Sequence, residues 1–184
     1  GLVGRTMIRI LEERNFPVAD LRPMAASGAG RSVRFKGSEI AVAEATPAAF
    51  EGVDIALFSA GAEVSLQLAP EAARRGCTVV DNSSAWRMDP TVPLVVSQVN
   101  PEALDGHRGI IANPNCSTMQ LAPLLHALQQ AAGLKRVVVA TYQAVSGAGG
   151  EAVDDLRAQR RAVVAGETPA STTVRHAVVE SPIP

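Results

Sequence analysis

Residues 109–118, Gly-Ile-Ile-Ala-Asn-Pro-Asn-Cys-Ser-Thr, run from a short apolar strand through a proline-bearing turn to Cys116, at the first turn of a helix. Backbone N–H groups at a helix start lack intrahelical partners and favour negative charge, hence thiolate over thiol. That context suits a nucleophile. It also suits a space-filling cysteine, because small buried thiols are common in protein cores. Cys77, in Gly76-Cys77-Thr78-Val79-Val80-Asp81, has only a strand end around it and reads as structural. Three further short polar segments follow apolar runs: Ser59-Ala60-Gly61, Asp81-Asn82-Ser83-Ser84 and Ser146-Gly147. With Asn113-Pro114-Asn115-Cys116 they make four candidate strand ends, able to line one crevice or to serve as ordinary turns. Gly1-Leu2-Val3-Gly4 matches the second half of a G-x-x-G-x-x-G turn, in which glycines let a pyrophosphate approach a helix N-terminus.

The elements that carry these residues alternate. Val3, Met7, Ile10 and Leu11 share a helical face that Phe16-Pro17 ends. Strands are expected at 21–26, 40–42, 53–60, 78–80, 94–96, 110–111 and 137–142. Helices are expected at 62–75, stopped by Gly76, at 116–132, stopped by Gly133, and at 151–164; residues 165–184 read as loop. Leu121, Leu124, Leu125 and Leu128 form the stripe of the helix after Cys116, and His126 on it reads as a packed core residue. Most strands are continuous apolar runs, as in strands buried on both faces. The fold class is therefore α/β, a doubly wound, mostly parallel sheet. The strand that should precede Gly1 would lie near the middle of that sheet, so the chain reads as part of something longer.

Composition narrows the class. The chain has 184 residues, 47% hydrophobic and 19% charged, with a net charge of −1. No basic run argues for nucleic acid, and no apolar run is long enough to span a bilayer. Two cysteines without close spacing argue for neither a disulfide framework nor a zinc site, so a reducing, cytoplasmic setting is the default.

Four segments are specific in wording and order: Asp81-Asn82-Ser83-Ser84-Ala85-Trp86-Arg87; residues 92–100, Val-Pro-Leu-Val-Val-Ser-Gln-Val-Asn; residues 110–118; and Tyr142-Gln143-Ala144-Val145-Ser146-Gly147-Ala148-Gly149. Together they resemble the aspartate-semialdehyde dehydrogenases over nearly the whole chain, thinning after about residue 165. The resemblance implies a Rossmann-like, NADP-binding domain over 1–115, lacking its first strand, and the start of an α+β substrate, catalytic and dimerisation domain over 116–184. It implies NADPH-dependent reductive dephosphorylation of L-aspartyl 4-phosphate to L-aspartate 4-semialdehyde through a cysteine thioester. That step leads to lysine, methionine, threonine and diaminopimelate.

The resemblance also implies roles for residues. Cys116 is the nucleophile, Arg87 binds phosphate, and Gln143 and Asn115 contact substrate, Asn115 also helping to fix the turn. Gly1, Leu2, Val3, Ser27, Gly28, Ser59, Gly61, Ser146 and Gly147 contact NADP. It implies a small-molecule substrate and phosphate as partners, with a homodimer or homotetramer in the complete protein. Ser27-Gly28 stand where the family usually carries the Arg-Ser that grips the 2′-phosphate, with Arg31-Ser32 four residues later, so NADP and NAD both stay open there. Gln98 replaces a frequent glutamate. The family's catalytic histidine, its substrate-binding arginine and glutamate and a phosphate-binding lysine fall beyond residue 184; His107, His126 and His176 do not match that histidine. These 184 residues alone are therefore expected to turn over negligibly. N-acetyl-glutamyl-phosphate reductase and glyceraldehyde-3-phosphate dehydrogenase share the thioester logic but not these motifs. A non-catalytic fragment or paralogue acting by binding is the reading from another class.

Overall fold

A computed structural model describes residues 1–26, 30–173 and 177–179. In chain order the elements are α1 (Leu2–Glu13), β1 (Met24–Ala25), β2 (Ser32–Phe35), β3 (Ser38–Ala41), β4 (Ala43–Glu44), β5 (Ile55–Phe58), α2 (Ala62–Arg74), β6 (Thr78–Asp81), β7 (Ile110–Ala112), α3 (Cys116–Ala132) and α4 (Gly150–Val164). The chain divides into two compact units, Leu11–Ala140 and Gly1–Ile10 with Thr141–Pro184.

In the first unit β5, β6 and β7 form a parallel sheet in that order, and β1 pairs with β4, also parallel. The expected parallel α/β architecture is present. Its core joins Phe50, Phe58, Ala69, Ala72, Cys77, Val79 and Ile110, with Trp86 and Val92 packed against them. The Phe50 and Phe58 rings sit 5.6 Å apart. Cys77 is 1% exposed, the structural role expected of it. Burial pushes its thiol up, and the Asp54 carboxylate adds to this. At Gly109 the chain enters β7 at φ +92, and a Cβ there would lie 2.8 Å from that of Ala73 on α2. Glycine lets helix and strand meet at that point.

Several expectations shrink or fail. The 21–26 strand contracts to β1. The 94–96 strand contracts to one parallel bridge, Leu94 to Ala112. Its ladder is interrupted by Asn100, whose Oδ1 accepts the Val96 N–H at 2.8 Å and whose Nδ2 donates to the Leu94 carbonyl at 3.0 Å. Residues 137–142 form no strand: no strand pairs with them among the described residues, and Val138 and Tyr142 are 80% and 96% exposed. α3 buries none of its residues, so Leu124 and Leu128 are exposed and His126 is half-buried rather than packed in a core. The strand expected at 40–42 is β3, shifted to Ser38–Ala41; its antiparallel partner β2 was not expected. The hairpin turns on Lys36 and Gly37, both at positive φ, the two-residue geometry that suits strand twist.

In the second unit, Asp155 and Gln159 project from successive turns of α4 and are both buried. The Asp155 carboxylate accepts from the Ser171 and Thr173 hydroxyls and from the Thr172 and Thr173 N–H groups. Those donors, the Thr173 hydroxyl foremost, hold its carboxyl far below the usual carboxylate range. Among the described residues no helix is long and apolar enough to cross a membrane.

Candidate active site

Strand register gathers the site. Phe58, Asp81 and Ala112 lie side by side at the carboxyl ends of β5, β6 and β7. The segments that follow them, from Ser59, Asn82 and Asn113, therefore leave one sheet edge together. Gly61 is the N-cap of α2 at φ +91, and a Cβ there would meet nothing within 4 Å, so that turn is open on its outer side. Ser59 and Gly61 are both exposed.

The β6 and β7 segments are bonded to each other. Asn82 donates its N–H to the Phe58 carbonyl at 2.9 Å, and Asn113 donates its own to the Asp81 carbonyl at 2.8 Å. The Asn113 side-chain amide donates to Asn82 Oδ1 at 2.8 Å. Arg87 crosses the same gap: Nε donates to the Asn113 carbonyl at 2.9 Å and Nη2 to the Asn82 carbonyl at 3.0 Å. Asp81, fully buried, accepts the Ser83 hydroxyl at 2.6 Å, and Ser83 Oγ accepts the Ala85 N–H at 3.1 Å. Trp86 Nε1 donates to the buried Ser65 Oγ of α2 at 2.9 Å, tying the segment to the helix.

Beyond buried Pro114 the turn becomes a helix cap. Asn115 is the N-cap of α3, and its Oδ1 accepts the Ser117 N–H at 3.0 Å and the Ser117 hydroxyl at 2.8 Å. The Cys116 Sγ lies 3.9 Å from the same oxygen. Three donors on one oxygen fix the start of the helix, and Cys116 is exposed there. An exposed thiol at a capped helix start, with an arginine bonded three residues upstream, suits attack on an electrophile that carries a leaving anion.

Other expected residues lie elsewhere. Gln143, Ser146 and Gly147 belong to the second unit, the last two in a short 3-10 turn, Val145–Ala148. All three are exposed, and Gln143 Nε2 donates to Thr141 Oγ1 at 3.5 Å. Ser146-Gly147 follow no strand, so three strand ends, not four, share the sheet edge. Gly1 precedes α1 and Leu2 and Val3 open it, in the second unit as well. Ser27 and Gly28 lie outside the described residues, as does His176. His107 accepts the Gly109 N–H on Nδ1 at 3.1 Å. Asn82 and Asn113 were not singled out as site residues; the signal available was an asparagine directly after each of two adjacent parallel strands.

A parallel α/β sheet with small polar loops at its carboxyl edge and a helix-start cysteine defines a nucleotide-binding type of domain carrying a thiol. The family described as "Semialdehyde dehydrogenase, NAD binding domain" matches residues 1–107, and "Semialdehyde dehydrogenase, dimerisation domain" matches residues 121–184. Aspartate-semialdehyde dehydrogenase of Bacillus subtilis is 54% identical over 165 residues, 89% of this chain and 48% of that protein. The crystal structure of aspartate semialdehyde dehydrogenase II complexed with ASA from Vibrio cholerae matches at TM-score 0.89 and 42% identity, over 95% of this chain and 53% of that one. Aspartate semialdehyde dehydrogenase with NADP from Candida albicans matches at TM-score 0.59 and 28% identity, over 73% of this chain and 45% of that one. The chain belongs to the aspartate-semialdehyde dehydrogenase family. It spans about half the length of the curated relatives it matches.

Proposed function

We propose that this chain supplies the nucleophile-bearing half of an NADPH-dependent aspartate-semialdehyde dehydrogenase, making L-aspartate 4-semialdehyde from L-aspartyl 4-phosphate in the cytoplasm. The observation that carries the proposal is the Arg87 guanidinium bonded to the Asn113 carbonyl at the base of the Cys116 turn. The Cys116 thiolate attacks the acyl carbon; the C–S bond forms, the C–O bond to phosphate breaks, and phosphate leaves with the electron pair. Two of the five guanidinium donors of Arg87 bond carbonyls. The other three suit the departing phosphate, whose charge a guanidinium pairs with directly. Once the thioester carbonyl has been reduced, the tetrahedral species on sulfur collapses: the C–S bond breaks, the aldehyde leaves and Cys116 keeps the electron pair as thiolate. Asn115 keeps the turn in place throughout, and Gln143 positions the acyl group.

When bound, NADPH supplies the hydride that reduces the thioester. The open, glycine-started turn at α2 fits a dinucleotide: Gly61 carries no side chain above the helix start, and Ser59 adds a hydroxyl. We assign Gly1, Leu2, Val3, Ser27, Gly28, Ser59, Gly61, Ser146 and Gly147 to the cofactor. We assign the division into domains to 1–115 and 116–184, which the two family matches support. The dimerisation-domain match supports a homodimer or homotetramer.

Acylation of the chain is the test. The protein is incubated with an acyl phosphate and its Cys116 peptide examined by mass spectrometry. A hydroxylamine-labile adduct on Cys116 but not on buried Cys77, slower to form in R87M, is expected. No adduct, or one equally distributed over both cysteines, would refute the proposal.

A further inference from the structure

We propose that Asn82 and Asn113 are positioning residues whose amide–amide hydrogen bond sets the spacing between the Arg87 guanidinium and the Cys116 thiol. The inference rests on the reading of Arg87 and Cys116 as one site. Asn113 lies three residues before Cys116 and Asn82 five before Arg87, so each stands at the root of one functional segment. Backbone pairing stops at this edge: the register of β6 and β7 ends at Asp81 and Ala112, and the Asn113 N–H makes the final bond. Past that point the segments diverge, and nothing in the sheet ladder fixes how far. The side-chain bond of 2.8 Å does, and both ends of Arg87 rest on the carbonyls of the same two residues. Arg87 bridges the same two segments through their carbonyls, and the asparagine side chains add a second tie beside it, so the guanidinium is held where the amide pair fixes the gap. The asparagine pair closes the arrangement: amide to amide in one direction, guanidinium to both carbonyls in the other.

The partners are half-buried, where a lost hydrogen bond is less readily replaced by water. Removing either amide lets the two segments separate while Arg87 keeps its charge. The consequence falls on the distance from guanidinium to thiol, rather than on the chemistry of either group.

Paired alkylation of Cys116 by iodoacetate and iodoacetamide reads that distance. The reagents share a leaving group and differ in charge, so the ratio of their rates cancels thiol ionisation and reports the local cation. Relative to the unfolded chain, the wild-type ratio is expected to be raised severalfold, the effect of a unit charge near the thiol in a watery setting. R87M abolishes the rise. N82A and N113A each lower the ratio to near that of R87M, leave the iodoacetamide rate within about twofold, and keep Cys77 unlabelled. N82A/N113A matches either single variant, because both remove one bond. An unchanged ratio in R87M would refute the reading of the site itself. A normal effect of R87M with wild-type ratios in N82A and N113A, or additive losses in the double variant, would overturn the positioning role alone. So would labelling of Cys77 in both alanine variants, since the pair would then hold the sheet together rather than the site.

Discussion

Gly109→Ala tests whether the close approach of α2 to β7 is a requirement of the fold. Two costs add. Alanine at φ +92 occupies a backbone region that L residues adopt at about 1–3 kcal/mol. Its Cβ would stand 2.8 Å from the Cβ of Ala73 and 3.4 Å from the Ala73 Cα, overpacking of a kind worth about 1–3 kcal/mol. A central value of about 3 kcal/mol is a large share of the ~5–15 kcal/mol that holds a domain folded. In urea, with a slope of ~1–3 kcal/mol/M, the midpoint drops by about 1–3 M. Trp86, the single tryptophan, packs against the core and supplies the fluorescence signal. Ala73→Gly separates the two costs. Alone it destabilises α2 by about 1 kcal/mol. Combined with Gly109→Ala it removes the side-chain contact, so the double variant should be less destabilised than the sum by about 1–2 kcal/mol. An unfolding free energy for Gly109→Ala within ~0.5 kcal/mol of the parent, or strict additivity, would refute the argument.

Cys77 gives a pH dependence with a definite sign. Its folded thiol titrates above its unfolded value, so its contribution is complete below about pH 8.5 and is lost as pH rises through the folded value. Urea midpoints taken above pH 8.5 should fall, and Cys77→Ala should flatten that slope at a cost of about 1 kcal/mol at neutral pH. Asp155 runs the other way. Its carboxyl is depressed, so the stability it adds is present above about pH 4 and lost as pH falls further. Asp155→Ala should speed hydrogen exchange at the Thr172 and Thr173 amides at neutral pH, leaving amides of β6 protected; unchanged exchange would contradict the clasp. Asn115→Ala removes the α3 cap and should cost about 1 kcal/mol in thermal or urea unfolding, with faster exchange at Ser117.

What was legible in the sequence was largely local. Gly76 and Gly133 end α2 and α3 as expected because a glycine stop needs only its own positive φ, +84 and +72. β5, β6 and β7 stand inside apolar runs bounded by turn residues; the runs marked the strands, but only β7 is buried throughout, and Ile55 and Leu57 leave one face of β5 exposed. Residues 137–142 carry the same signal and form no strand. An apolar run expresses a need for burial, whereas a strand also needs a partner, which lies far away in sequence. The β2–β3 hairpin failed in the opposite direction. Only its second strand was expected, from the apolar run at 40–42; β2 alternates polar and apolar residues over four positions, too short a run to mark a strand without its partner.

The site shows the same division more sharply. Cys116 and its cap were readable because residues 113–117 contain both the turn and the helix start. Arg87 was readable through a family motif, yet what holds it was not. Its carbonyl partners are 5 and 26 residues away, and the Asn82–Asn113 bond spans 31. Such bonds exist only after the parallel register has placed Asp81 beside Ala112. The consequence concerns how a reactive thiol is aimed. The helix cap presents Cys116, but a cap sets direction only within its own turn. The distance to a charge on another segment has to be set by bonds between segments, and at the edge of a parallel sheet the last backbone pairing leaves that task to side chains. Two asparagines suit it because each offers a donor and an acceptor without a charge that would compete with Arg87 for an anion.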